Sequence, residues 1–204
     1  MLSLPRLYPI LDRSCFADSQ SLFAAARELA EGGCTLMQYR NKSRRARQML
    51  DEALELRASL NVSINLIMND RADLCLAARY IGLHVGQDDL SVESARSIIG
   101  AGHWLGVSTH NQEQLADAGE TSADYLAIGP VFETGSKANP DPTVGLEGVR
   151  RARELTRKPL VAIGGITRAN ARSVINAGAD SVAVISDLLR DPGKSAEEFF
   201  KILR

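Results

Sequence analysis

The stretches INLIMNDRADLCLAA (64–78) and IGLHVGQDD (81–89) decide the fold, because each joins an apolar run to acidic residues. Short runs rich in Leu, Ile, Val and Met are typical of strands that are buried on both faces. The first run is followed by Asn69 and Asp70, and the second by a loop that carries Asp88 and Asp89. The pattern therefore predicts a parallel sheet whose strand ends carry polar groups.

The same pattern recurs along the whole chain, with short apolar runs alternating with helical sequence. The predicted strands are 7–11, 34–40, 63–68, 80–85, 104–108, 124–129, 159–164 and 181–186. Helical segments are predicted at 21–33, 43–60, 91–99, 111–119, 146–156 and 168–178. Eight strand and helix units, each of about 25 residues, predict an α/β fold, a single (β/α)8 TIM barrel over residues 1–204. An open doubly wound sheet is the alternative, because periodicity does not reveal whether the sheet closes.

Composition and charge exclude several classes of function. The chain has 204 residues, a formal net charge of -1 and a pI of about 6.3, so no global positive field would recruit nucleic acid or an anionic membrane. No apolar run reaches the roughly 18 residues of a membrane span. The three cysteines are widely spaced and are expected to be reduced thiols. These observations predict a cytoplasmic protein with no nucleic-acid or membrane partner, in which a local cluster must bind any anionic ligand.

In a (β/α)8 barrel the active site lies where the strands end and the βα loops begin. Three cations, Arg40, Lys42 and Lys137, are expected to converge there with the carboxylates of Asp70 and Asp89. This combination suits a multiply charged anion carried with Mg²⁺, which takes one or two protein carboxylates together with phosphate oxygens. The alternative for each acid is N-capping of the helix that follows, and Asp88 is the strongest candidate for that role.

Two further loops point to a second anion. AIGGIT (162–167) and VISD (184–187) follow the last two strands, where barrels of this kind often bind phosphate at a short helix. The glycines could instead serve only to make a tight turn. The long connection FETGSKANPDPTVG (132–145) is expected to form a lid or clamp, with a solvated linker as the alternative.

No arrangement for covalent catalysis emerges from the sequence. Ser108 and His110 are near neighbours in the chain, a GxSxG motif is missing, and no cysteine stands in a site-like context. His84 lies within the fourth predicted strand and is expected to be a structural, hydrogen-bonded histidine. The predicted site is therefore equipped to bind and stabilise charge.

Seven ordered motifs resemble the thiamine-phosphate synthase family over nearly the whole chain. They are QYRNK (38–42), ND (69–70), GQDD (86–89), GVSTH (106–110), ADYLAIGPVFETGSK (123–137), AIGGI (162–166) and AVIS (183–186). The resemblance implies a transferase that joins 4-amino-2-methyl-5-(diphosphooxymethyl)pyrimidine to 4-methyl-5-(2-phosphooxyethyl)thiazole with Mg²⁺. The products would be thiamine phosphate and diphosphate.

The resemblance also implies roles for individual residues. Asp70 and Asp89 would bind Mg²⁺, and Arg40, Lys42, Ser108 and Lys137 form the catalytic set. The substrate-binding set comprises Gln38, Tyr39, Arg40, Asn41, Lys42, Asn69, Ser108, Thr134, Gly135, Ser136, Lys137, Gly165, Ile185 and Ser186. Within it, residues 38, 40, 42 and 69 would hold the pyrimidine diphosphate. Residues 134–136, 185 and 186 would meet the thiazole phosphate.

Two alternatives share the same barrel. A thiazole tautomerase of this superfamily is expected to lack part of the metal set and to carry a histidine in the strand 6 motif, where this chain has Pro130. A non-catalytic sensor of thiazole phosphate or thiamine phosphate would tolerate loss of the metal ligands. Pro130 and Asp70 therefore favour the synthase over the tautomerase, and the intact NDR, GQDD and QYRNK motifs weigh against the sensor. The sequence leaves a homo-oligomer open.

Overall fold

A computed structural model describes residues 2–43, 45–135 and 141–204. Its eight strands pair in parallel, in chain order, to form a closed barrel. The closing contact joins the first and last strands, with Leu7 beside Val182, so the open sheet considered as an alternative is wrong. The strands are β1 Leu7–Asp12, β2 Leu36–Arg40, β3 Asn65–Asn69, β4 Gly82–Val85, β5 Trp104–Thr109, β6 Tyr125–Ile128, β7 Leu160–Ile163 and β8 Ser181–Val184.

A helix follows each strand, which confirms the (β/α)8 prediction. The helices are α1 Ser19–Glu31, α2 Ala46–Ala58, α3 Ala72–Ala77, α4 Val92–Ile99, α5 Gln112–Gly119, α6 Gly145–Leu155, α7 Ala171–Asn176 and α8 Pro192–Ile202. Two short 3-10 helices, Arg13–Cys15 and Ser186–Leu188, follow β1 and β8. Helix α1 begins in a capping box, in which Asp18 accepts from the Ser21 amide and the Ser21 hydroxyl accepts from the Asp18 amide.

Alternation along the strands divides the core into two apolar layers. Side chains such as Met37 and Met68 point outward and pack against the helices, where they form the larger layer. Side chains such as Leu36 and Ile67 point inward and fill the barrel. All three cysteines lie in the described part of the chain and are free, and Cys34 and Cys75 are buried in the outer layer. Burial raises the pKa of both of these thiols to about 12, which makes them unreactive.

Several strands are shorter than the apolar runs that predict them. β8 ends at Val184 because Ile185 has φ -112° and ψ -83°, after which a 3-10 helix begins at Ser186. β6 ends at Ile128, before the Gly129–Pro130 peptide bond. β3 extends one residue further than predicted, so Asn69 is its last residue. No helix in the described ranges is both long and apolar enough to cross a bilayer.

Candidate active site

Lys42 connects the two acids that the sequence singles out. Its Nζ forms an ion pair with Asp70 Oδ2 and lies 3.9 Å from Asp89 Oδ1. Asp89 is held by the Gly86 amide, which donates to its Oδ2 at 3.0 Å. The cluster thus places one cation between carboxylates that follow two neighbouring strands. The two opening stretches predict the neighbouring acids, and the lysine between them is a finding of the structure.

The backbone at Asp70 adopts an unusual left-handed conformation. Asp70 has a φ of 62°, in the left-handed region, and its amide donates to the His84 carbonyl at 2.8 Å. Asp and Asn tolerate this region better than other non-glycine residues do. Strained residues of this kind cluster at functional sites, so the conformation supports a role for Asp70 beyond the packing of the loop.

The electrostatic surroundings of Asp70 favour its protonated form. Burial and then the neighbouring Asp89 raise the pKa of Asp70 to about 6, although Lys42 acts in the opposite direction. A hard cation between the two carboxylates would remove this repulsion. The pair is therefore suited to a ligand that brings positive charge.

Helix capping does not account for these acids. Arg71 occupies the N-cap position of α3 and makes no side-chain capping bond, while the Ser91 hydroxyl caps α4 by accepting from the Ser94 amide. Asp88 is exposed and does not cap α4 either. The capping alternative is therefore wrong for Asp70, Asp88 and Asp89.

The donors around Asp70 fit a hydrated divalent cation with a bound anion. Among the described residues, no group of three or more His, Cys, Asp or Glu side chains could hold a metal ion by itself. A cation at Asp70 and Asp89 would complete its coordination with water and ligand oxygens, as Mg²⁺ usually does. Asn69 is buried beside Asp70, and its Nδ2 has no hydrogen-bond partner within the described ranges. A buried amide without a protein partner can donate to an oxygen of a ligand or of a water molecule.

Arg40 is held by an acid that the sequence analysis missed. Its Nη1 forms an ion pair with Oδ2 of Asp12, the last residue of β1, which is only 3% exposed. Asp12 Oδ1 also accepts from the Ser14 amide at 3.0 Å and from the Ser14 hydroxyl at 2.7 Å. Asp12 follows an apolar run just as Asp70 does, so the same signal was available at the first strand.

Tyr39 and Asn41 do not join the other predicted substrate-binding residues. Alternation along β2 turns Gln38 inward with Leu36 and turns Tyr39 outward, into the layer packed against α2. Both side chains contact Glu52 of α2: the Tyr39 hydroxyl donates to Oε2, and Asn41 Nδ2 lies 3.2 Å from the same oxygen.

Glu52 is a buried carboxylate that ties this loop to two other elements. Its Oε1 accepts from Arg13 Nε at 2.8 Å and from the Ser19 hydroxyl at 2.6 Å. Asn41 Oδ1 in turn accepts from the Ser43 amide at 2.9 Å, which fixes the segment that carries Lys42. Sequence reasoning missed Glu52, although a carboxylate among Met49, Ala53 and Leu56 on the apolar face of a helix was a usable signal.

His84 is buried and hydrogen-bonded, as predicted. It lies inside the barrel at 7% exposure, and its Nε2 is 2.8 Å from the Ser108 hydroxyl. Burial lowers the pKa of His84 to about 4, so the ring is neutral at physiological pH. The Ser108 carbonyl accepts from Gln87 Nε2 at 2.6 Å, which connects β5 to the loop that carries Asp89.

The loops after β7 and β8 carry the residues of the second predicted anion site. Gly164 and Gly165 have φ values of 99° and 62°. The 3-10 helix that begins at Ser186 confirms the expectation of a short helix after β8, and Ser186 is exposed at its start. Arg168 fastens the two loops together, because its amide and its Nε donate to Asp187 Oδ2 at 2.8 and 3.0 Å.

A methyl group at Gly165 should separate the β7 loop from the β6 loop. A Cβ there would overlap the Glu133 carbonyl oxygen and lie 2.8 Å from Phe132 Cβ. We expect Gly165→Ala to raise the KM for the phosphorylated substrate that these loops are predicted to bind by at least about tenfold, beyond any loss of stability from the positive φ. Gly100→Ala is the control, since Gly100 has φ 75° but no atom within 4 Å of its Cβ position. Equal KM values in the two variants would contradict this account.

The β6 loop is described only in part. Thr134 is half-buried and Gly135 is exposed. Ser136 and Lys137 lie outside the described residues, as does the central part of the predicted lid.

Carboxylates, cations and a glycine-rich turn at the ends of the strands define a (β/α)8 barrel arranged to bind anionic ligands. A model of the family described as thiamine monophosphate synthase matches residues 7–188. The chain therefore belongs to the thiamine monophosphate synthase family.

Individual relatives agree with this assignment. The chain is 58% identical to a thiamine-phosphate synthase of Koribacter versatilis, over 99% of this chain and 97% of that one. It is 44% identical to a thiamine-phosphate synthase of Chloroflexus aurantiacus, over 89% and 83% of the two chains. The solved structure of a thiamine phosphate pyrophosphorylase from Pyrococcus furiosus matches with a TM-score of 0.85 and 35% identity, covering 97% of this chain and 95% of that one.

Proposed function

We propose that the protein joins the pyrimidine diphosphate to the thiazole phosphate, giving thiamine phosphate and diphosphate with Mg²⁺. The observation that carries this proposal is the Lys42 ammonium between Asp70 and Asp89, in a chain of this family. Such a cluster serves a reaction in which a highly charged leaving group must be stabilised. A simple binding site for a monophosphate would not need two carboxylates beside its cations.

The proposed reaction is dissociative. The C–O bond to diphosphate breaks, the pyrimidine stabilises the resulting carbocation, and the thiazole nitrogen then forms the new C–N bond. No protein nucleophile is needed, in keeping with the side chains assembled here. When bound, Mg²⁺ would supply positive charge to the diphosphate oxygens.

The described residues are assigned to the two substrates as follows. We assign Gln38, Arg40, Lys42 and Asn69 to the pyrimidine diphosphate. The ion pair with Asp12 would orient Arg40 for this role. Ser108 would contact the same substrate. Thr134, Gly135, Ile185 and Ser186 are assigned to the thiazole phosphate, and Gly165 would close over the reacting region. By their position in the sequence motif, Ser136 is added to the thiazole phosphate and Lys137 to the pyrimidine substrate or its leaving group.

Tyr39 and Asn41 have an indirect role in this proposal. Their bonds to Glu52 hold the end of β2 from the outer face of the barrel. In this way they would set the direction in which Arg40 and Lys42 leave the strand. The orientation of Arg40 and Lys42 matters because a cation stabilises the negative charge of a transition state most when it is already held at the place where that charge develops.

We further propose that residues 1–204 act as one catalytic domain in the cytoplasm, where free thiols such as Cys15, Cys34 and Cys75 persist. The partners would be small molecules, with no nucleic acid and no membrane. Self-association as a homo-oligomer stays a prediction.

The direct test is incubation of the purified protein with both precursors and Mg²⁺. We expect thiamine phosphate and diphosphate in equal amounts, and neither of them when EDTA is added. A folded protein that forms no product above the uncatalysed control would overturn the proposal. Thiazole tautomerisation, or binding without turnover, would then be measured in its place.

The raised pKa of Asp70 predicts a pH dependence that Mg²⁺ should modify. Because Asp70 must be ionised to bind a cation, activity at limiting Mg²⁺ should fall by about tenfold per pH unit below about 6. Mg²⁺ competes with the proton, so higher concentrations should move the midpoint to lower pH. Profiles of kcat/KM from pH 5 to 8 at two Mg²⁺ concentrations would measure this. A pH midpoint that is the same at both Mg²⁺ concentrations would show that another group controls the profile.

A further inference from the structure

A continuous chain of five polar side chains crosses the interior of the barrel. Gln38 Nε2 is 3.1 Å from the Tyr8 hydroxyl, which is 3.0 Å from the Tyr125 hydroxyl. That hydroxyl is 3.1 Å from His84 Nδ1, and His84 Nε2 is 2.8 Å from the Ser108 hydroxyl. We call these five residues the barrel relay. Its two ends, Gln38 and Ser108, are both assigned above to the pyrimidine substrate.

The packing of the barrel makes room for the relay. Tyr8 and Tyr125 are 1% and 0% exposed and lie among apolar side chains of the inner layer. Gly106 of β5 leaves the space for the Tyr125 hydroxyl, because a Cβ at Gly106 would lie 2.5 Å from that oxygen. Polar groups in such surroundings are expected to be fully hydrogen-bonded, so the position of every proton in the relay matters.

The orientation of the Gln38 amide sets the direction in which the relay donates. Gln38 donates its amide N–H to the Tyr8 oxygen. The Tyr8 proton cannot point back, because an amide nitrogen does not accept, so it must be donated to Tyr125. Tyr125 then donates to His84 Nδ1, which must be unprotonated.

The remaining steps follow from the chemistry of imidazole. With Nδ1 unprotonated, the single ring proton must sit on Nε2, which donates to the Ser108 oxygen. The Ser108 hydroxyl accepts this bond and keeps its own proton free for another acceptor. The relay therefore ends in a hydrogen-bond donor.

We propose that Tyr8, Tyr125 and His84 are positioning residues that present the Ser108 hydroxyl as a donor to a lone pair of the substrate. The inference rests on the proposed function, because it takes the pyrimidine diphosphate as the ligand at Gln38 and Ser108. The acceptor is an oxygen or ring nitrogen with an available lone pair. A substrate atom that carries a proton would meet the Ser108 proton and be disfavoured.

The protonation of His84 tests the direction of the relay without any assay of activity. ¹⁵N-labelled histidine in the unmodified protein would show by NMR which ring nitrogen carries the proton, with His84→Gln used to assign the signal. We expect the Nε2–H form. The Nδ1–H form would mean that the relay runs the other way, and would overturn the proposal.

The Tyr125→Phe variant tests the contribution of the relay to catalysis. It removes the central oxygen while keeping the ring, so we expect a mixture of His84 tautomers and a loss of about five- to tenfold in kcat/KM for the pyrimidine substrate. The KM for the thiazole phosphate should not change. Tyr80→Phe is the matched control, because Tyr80 is equally buried and its hydroxyl donates to the Ala53 carbonyl, outside the relay.

The outcomes separate this inference from the proposed function. Equal kcat/KM values for Tyr125→Phe and Tyr80→Phe, in an unmodified protein that makes thiamine phosphate, would overturn the relay alone. An unmodified protein without synthase activity would overturn the proposed function. The His84 tautomer would still decide the direction of the relay in that case, because its measurement needs no substrate.

Discussion

Asp70→Asn should reduce kcat by about 10²–10³-fold at saturating substrates while leaving the fold intact. The variant removes one of the two carboxylates that face Lys42, and with it the charge that a cation requires. Asn is the informative substitution because it keeps the shape of the side chain and tolerates the φ of 62° at this position. Ala would add backbone strain to the loss of charge, and the two effects could not be separated.

Asp73→Asn is the control for this experiment. Asp73 lies three residues further along the chain, on α3, and its carboxylate is paired with Arg71 at the surface. We expect this variant to retain normal kcat and normal dependence on Mg²⁺. If Asp70→Asn also keeps more than about a tenth of the activity, or needs no more Mg²⁺ than the unmodified protein, Asp70 is not a metal ligand.

The Asp70→Asn variant should be more stable than the unmodified protein when metal is removed. The pKa of Asp70 is higher in the folded state than in the unfolded chain, so the folded state binds more protons between about pH 4 and 6. Stability therefore falls as pH rises through this window and stays lower above it. Asp70→Asn removes this loss, and we expect a gain of roughly 1–3 kcal/mol in the free energy of unfolding at pH 8 in EDTA. Urea titrations at pH 4 and pH 8 would measure it.

Much of this site was predictable because its main signal is local in the sequence. Asp70 lies one residue beyond an apolar run, and Asp89 follows the next run after a short loop. The fold then brings such residues together, since the ends of parallel strands meet at one face of a barrel. Barrel closure itself was harder to predict, because it depends on β1 pairing with β8 at opposite ends of the chain.

The residues that support the site were missed because their partners are distant in sequence. Tyr8 and Tyr125 meet across the barrel, 117 positions apart in the chain, and each alone reads as an ordinary core residue. The motif QYRNK predicts one contiguous set of substrate contacts, although a strand must turn Tyr39 away from Gln38 and Arg40. Strand alternation predicts that Tyr39 faces α2, where its hydroxyl donates to Glu52.

Lys42→Met should also reduce kcat by about 10²–10³-fold, and it should shift the pH dependence of activity as well. Methionine keeps most of the length of the side chain, and the Lys42 side chain is 50% exposed, so little packing is lost. Lys42 lowers the pKa of Asp70, and its removal must raise that pKa further. The acidic limb of the kcat/KM profile should therefore move to higher pH at limiting Mg²⁺.

This shift distinguishes Lys42 from a lysine that only attracts the substrate. Lys158→Met is the matched control, because Lys158 precedes β7 at the other end of the barrel and donates to the Thr121 carbonyl at 2.6 Å. Its loss should leave kcat and the profile unchanged. A Lys42→Met variant with a raised KM but normal kcat would mean that the ammonium binds the ground state only. A lower kcat together with the alkaline shift would show that one cation serves both the departing diphosphate and the ionisation of Asp70.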